Sequence, residues 1–161
     1  HPYPENLFNP RTWEDTSATA SFDTKKITFK NIQILPAFLR QPRFLHKGKS
    51  RRVILSEQGF HSVDSLTGER DQAAAYAYAY YRVRHTGGID AFILHRHVDH
   101  PGEGGLRLGL RSRHDDGVRQ IYDVFRRADT VAWPEAFKFA LPIIGVKNWT
   151  ETLPVQQPQA E

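Results

Sequence analysis

Apolar positions along this chain fall into short blocks separated by proline, glycine and charge. Residues 1–24, rich in Pro, Asn, Asp, Ser and Thr, hold no sustained period and read as a long loop. From Ile27 to Leu45, Ile32, Leu35 and Leu39 stand at helical spacing, while Pro36 and Pro42 predict a broken or kinked helix. Val53-Ile54-Leu55 is a continuous apolar run ending in Ser56-Glu57-Gln58-Gly59-Phe60, the pattern of a parallel strand buried on both faces. Next comes a helix with Thr67 as its expected cap, Glu69 and Asp71 in its first turn and an alanine-rich body from Gln72 to Tyr81. Tyr76 and Tyr80 lie one turn apart on it, and Gly87-Gly88 is its stop.

A second buried strand is expected over Ile89 to Leu94, running into His95-Arg96-His97-Val98-Asp99-His100, and Gly102 to Gly109 is a glycine-rich loop. Val118, Ile121, Tyr122 and Phe125 predict one further helix. Pro134, Phe137, Ala140, Leu141 and Ile144, closed by Gly145, predict another, and from Thr150 onward the tail reads as frayed. Strands alternating with helices specify an α/β class with parallel strands, and there is no internal repeat.

At 161 residues the chain suffices for one domain with a core, yet it is shorter than the roughly 250 residues of a complete eight-fold βα barrel. It is 39% hydrophobic and 25% charged, and no apolar run approaches the roughly 20 residues of a membrane span. The lack of cysteine excludes disulfides and thiolate chemistry. The opening His1-Pro2-Tyr3-Pro4 follows no basic-then-apolar leader, so the natural N-terminus is expected upstream and the compartment stays open, secretion included. The net charge of +4 is spread among acids. Its nearest approach to a basic run, Lys47-Gly48-Lys49-Ser50-Arg51-Arg52, reads as a solvated loop at the bottom of a sheet. Without interleaved aromatics it does not read as a nucleic-acid site.

Chemistry in parallel α/β folds gathers where strands end and loops begin. Two such ends are polar: Ser56-Glu57-Gln58 and His95-Arg96-His97. A carboxylate directly after Val-Ile-Leu is costly to bury unless it is hydrogen-bonded or used. Glu57 is therefore either a working carboxylate or a residue that caps the next loop or pairs with Arg96, and Gly59 gives the backbone freedom for a sharp exit. His95-x-His97-x-Asp99-His100 offers a competing reading, since it resembles the dinuclear zinc motif of the metallo-β-lactamase fold. After His100 only His114 remains, so that family's downstream ligands are missing and no metal is assigned.

A broader resemblance covers most of the chain. His1-Pro2-Tyr3-Pro4-Glu5-Asn6, Val53 to Phe60, Gln72 to Tyr78, Ile89 to His100, Glu103-Gly104-Gly105-Leu106 and Val124-Phe125-Arg126 together resemble an uncharacterised bacterial family of glycoside-hydrolase-like TIM barrels. Ser56-Glu57-Gln58-Gly59 also resembles the strand-seven signature of the retaining-glycosidase clan, whose glutamate is the nucleophile. The resemblance implies the C-terminal part of a (β/α)₈ barrel over residues 1–149, from the end of strand six through helix eight, and a frayed tail over 150–161. It places Val53–Glu57 on strand seven and Ile89–His97 on strand eight. Glu57 is then the expected nucleophile, its acid/base partner lying upstream of these residues.

His1, Tyr3, Gln58, His95, Arg96 and His97 are the expected substrate-binding residues, His1 and Tyr3 by position at the end of strand six. His95-Arg96-His97 stands where the clan often has tryptophan. No cofactor, nucleic acid or membrane partner is expected. The expected partner is a carbohydrate, with an anionic polysaccharide met by Arg96 among the candidates. A non-catalytic carbohydrate-binding barrel is the alternative, and a metal-dependent hydrolase using His95, His97, Asp99 and His100 the second.

Overall fold

The computed structural model describes residues 1–63, 65–114 and 117–154. In chain order these form α1 (Ile34–Leu39), β1 (Ile54–Gln58), α2 (Leu66–Thr86), β2 (Ala91–Leu94), α3 (Gln120–Arg127), α4 (Trp133–Phe137) and α5 (Ala140–Ile144). Short 3₁₀ turns occur at Thr12–Glu14, Phe29–Asn31, Pro42–Phe44 and Trp149–Thr152. β1 and β2 pair in parallel around the α2 crossover, with Ile54 opposite Ala91, Leu55 opposite Phe92 and Gln58 opposite Leu94. No helix among the described residues is long and apolar enough to cross a membrane.

The centre of the molecule is α2, in which every residue from Gln72 to Arg82 is buried. A helix surrounded on all sides must be apolar all round, and the Ala/Tyr alternation achieves this. Successive helical residues turn by about 100°, so a period of two spreads the rings around the circumference. Tyr76 meets Phe92 and Phe125, Tyr78 meets Trp13, Tyr80 meets Phe137, and Tyr81 meets Trp149, with ring centroids 5.2–5.8 Å apart. The alanines between them let neighbouring segments approach closely. Buried Arg82 anchors two distant segments to this helix, donating to the carbonyls of Phe29 (3.1 Å), Lys30 (2.6 Å) and Thr152 and to Gln33 Oε1.

Several expectations change at this level. The cap of α2 is Ser65, whose Oγ accepts from the Gly68 amide at 2.9 Å, and not Thr67. The strands are not buried on both faces: Leu55 and Phe92 face the core, while Ile54 and Ile93 on the other face are each 52% exposed. The expected helix across Pro134 and Gly145 is two short ones, α4 and α5. Val118 lies outside α3, whose buried residues are Ile121 and Val124. The frayed tail does not begin at Thr150, because Trp149–Thr152 packs on α2 with Trp149 and Thr152 buried; the rest of the expected tail beyond 154 lies outside the described residues.

After β2 the chain folds back on itself. Leu110 donates to the Arg96 carbonyl at 3.1 Å, Arg111 to that of His97 at 3.0 Å, and Asp99 to that of Arg111 at 3.2 Å. Gln72 of α2 ties this return to the loop after β1, its Nε2 donating to the carbonyls of Phe60 (2.9 Å), Arg107 (3.3 Å) and Gly109 (3.3 Å). One buried side chain thereby sets the spacing of both loops that follow the strands.

Candidate functional site

The parallel pairing of β1 and β2 brings their C-terminal ends side by side, and the His95 amide donates to the Gln58 carbonyl at 2.8 Å. Gly59 makes this closeness possible. A Cβ there would sit 2.3 Å from the His95 carbonyl oxygen, so what the position needs is space, not the backbone freedom expected from sequence.

Glu57 projects at this end with its side chain 44% exposed. Tyr3 donates its hydroxyl to Glu57 Oε1 at 3.2 Å, and His1 Nδ1 stands 3.6 Å from the same oxygen. His1 Nε2 is also 3.3 Å from Ser56 Oγ. Oε2 of Glu57 has no protein partner among the described residues. Burial, the negative charge of Glu57, the hydrogen bond to it and the charge of Glu103 together raise the Tyr3 pKa well above that of an ordinary phenol, with Arg96 opposing. Tyr3 therefore remains a protonated donor that orients Oε1 across the physiological pH range.

A second carboxylate lies on the β2 side. Glu103 Oε1 is 3.2 Å from His95 Nε2 and 3.3 Å from an Arg96 guanidinium nitrogen, with all three side chains about a quarter exposed. Arg96 is thus engaged by Glu103 and makes no ion pair with Glu57, against that sequence alternative. The peptide between His95 and Arg96 is cis.

The structure brings together His1, Tyr3, Glu57, His95 and Arg96, and it adds Glu103. Sequence reasoning gave Glu103 no role because it lies eight residues past His95. The available signal was Pro101-Gly102, the centre of a turn that the Glu103 amide closes on the His100 carbonyl at 3.3 Å. Gln58 is placed elsewhere: it is fully buried, and its Nε2 donates to the carbonyls of Leu55 (3.0 Å) and Ile93 across the two strands. His97 is exposed and has no side-chain partner among the described residues.

The alternative metal set is not assembled. Asp99 accepts from the Gly109 amide at 2.7 Å and holds the Arg119 guanidinium at 2.9 and 2.5 Å, while His100 Nδ1 accepts from the amide of Gly102. Burial pushes the Asp99 carboxyl up, but its bonds to Arg119 and Gly109 and the charges of Arg119 and Arg107 outweigh this and hold it below the usual range. Among the described residues no three histidines or carboxylates converge as metal ligands.

Fold and site thus define a parallel βαβ protein with a tyrosine-held carboxylate and a second, histidine- and arginine-bound carboxylate at its strand ends. The chain belongs to a family of unknown function, DUF5722, whose model matches residues 1–152. No curated protein and no solved structure matches it.

Proposed function

We propose that this chain is the C-terminal part of a glycosidase-like (β/α)₈ barrel, and that the intact protein hydrolyses a glycosidic bond with retention of configuration. Glu57 attacks the anomeric carbon through Oε2, while a carboxylic acid from the upstream strands, about 5–5.5 Å away, protonates the departing oxygen. Water then releases the sugar from the glutamyl ester, with the same acid now acting as base. Tyr3 fixes Oε1 and stabilises the carboxylate when it leaves. His1, His95 and Arg96 stand around Glu57 to meet the sugar, exposed His97 adds a further imidazole on the same loop, and Glu103 holds His95 and Arg96 in place.

The observation that carries this reading is the Tyr3–Glu57 hydrogen bond at the C-terminal end of a parallel strand, where such folds keep their chemistry. The half-exposed Ile54 and Ile93 on the sheet face away from α2 support the barrel, because branched residues there fill a barrel interior.

The test treats the intact protein with a panel of activated 2-deoxy-2-fluoro glycosides, which trap the glycosyl-enzyme ester, followed by peptide mass spectrometry. A sugar adduct on Glu57, lost in Glu57→Gln, is expected. An adduct on another residue, or near-normal turnover by Glu57→Gln of any glycoside the wild type cleaves, overturns the assignment.

A further inference from the structure

At the opposite end of β1 the basic run 47–52 has a structure that the glycosidase reading does not use. His46 and Lys49 exchange backbone hydrogen bonds at 2.9 and 3.0 Å, closing a two-residue hairpin with Lys47 and Gly48 at φ 50° and 75°. This is the tight primed type of turn, which needs positive φ at both central residues. It projects Lys47 and Lys49 into solvent, and neither has a side-chain partner among the described residues.

Around the hairpin stand further cations. Arg51 donates to the Phe44 carbonyl at 3.2 Å, and Arg43 lies over the Phe44 ring at 4.8 Å and the Phe38 ring at 5.7 Å. Arg40 donates to the Gly87 carbonyl. Among the described residues only Arg52 meets a carboxylate, Asp90, at 3.5 Å. A shallow cavity of about 420 Å³ is lined by His46, Lys47, Lys49, Ser50, Arg51 and Arg52, with no acid among them.

Charge along the chain is correspondingly uneven. Residues 40–52 carry six positive charges and no carboxylate, against +4 for the whole chain, so everything outside this segment is net negative by two. Six cations with the single carboxylate of Asp90 at Arg52 repel one another, and a polyanion relieves that repulsion while releasing its own counterions.

We propose that this surface binds a linear anionic polysaccharide, carboxylated or sulfated, at a site separate from Glu57. The five residues of β1 put the two sites roughly 17 Å apart, at opposite ends of the strand. The cavity has the size of a small-molecule site, and the Ser50 hydroxyl and His46 imidazole add hydrogen-bonding groups between the cations, as a hydroxyl-rich anion requires. A membrane surface fits less well, because residues 46–52 contain no apolar side chain to insert. Nucleic acid also fits less well: the nearby Phe38 and Phe44 rings lie under Arg43 and are not free to stack on bases. The proposal does not depend on Glu57 being a nucleophile.

Binding of the intact protein to dextran sulfate and to polygalacturonate is measured as a function of salt. Duplex DNA and vesicles of anionic phospholipid are run in parallel. Lys47→Asn/Lys49→Gln is compared with Lys138→Gln/Lys147→Gln, which removes the same charge from exposed positions outside the patch. Asn suits the positive φ at 47, so the hairpin is retained. The hairpin variant is expected to weaken polysaccharide binding about 25-fold, at roughly five-fold per lysine held against an anionic surface, and the control less than two-fold. Equal losses in both variants, no loss in the first, or tighter binding of DNA or vesicles than of either polysaccharide at the same salt overturns the proposal.

Discussion

Replacing Asp99 by alanine tests whether the Asp99–Arg119 pair holds the loop that presents His95 and Arg96. The side chains of Asp99 and Arg119 are only 10% and 8% exposed, so the small value of a solvent-facing ion pair does not apply. Removal leaves the Arg119 guanidinium buried with the Gly109 carbonyl, at 2.9 Å, as its remaining partner, and orphans the Gly109 amide that Asp99 accepted at 2.7 Å. Breaking one partner of a buried pair costs about 3–5 kcal/mol. Asp99→Asn keeps an acceptor and loses the charge, so about 1.5–3 kcal/mol is expected.

The pH dependence has a defined sign. With the Asp99 pKa below its unfolded value near 3.9, the unfolded state binds more protons in the acid window. The stabilisation is therefore complete above the unfolded pKa and is lost as pH falls through the folded one. Urea denaturation of the wild type and both variants, at neutral pH and through the acid range, reads these differences. A loss under 0.5 kcal/mol for Asp99→Ala, or an Asp99→Asn variant that keeps the full acid dependence of the wild type, refutes the reasoning.

Gly59→Ala is expected to lose about 1–3 kcal/mol, because its methyl meets the His95 carbonyl at 2.3 Å and Leu108 Cβ at 3.3 Å and one strand end must move; unchanged urea midpoints would show that the strands tolerate the extra atom. Arg82→Leu removes the donors to three carbonyls and to Gln33 inside the core, and a loss of about 3 kcal/mol or more is expected in thermal or urea unfolding. Arg82→Lys, with three donors that do not match the guanidinium fork, is expected to recover only part of that loss.

Sequence alone determined the elements whose signals are local. The alanine-rich helix and its glycine stop follow from propensity, with Gly87 and Gly88 at positive φ as the stop requires. The apolar runs ending in Glu57 and in His95-Arg96 placed polar groups at two strand ends. Both runs form strands, and they pair in parallel with those ends together.

What the tertiary structure decided is everything that depends on which side of an element meets which neighbour. Gln58 follows Glu57 in the same polar tripeptide, but the register shift between Leu55 and Gln58 interrupts the alternation of β1, so that Gln58 turns inward between the strands while Glu57 meets Tyr3. Asp99 shares a motif with His97 and His100, yet Arg119, twenty residues away, takes its carboxylate for a buried pair. Glu103 joins His95 and Arg96 because the chain turns back through Pro101-Gly102, with the Glu103 amide donating to the His100 carbonyl at 3.3 Å. Propensity and periodicity are set by neighbours a few residues away, whereas the partner of a side chain is set by packing between distant segments.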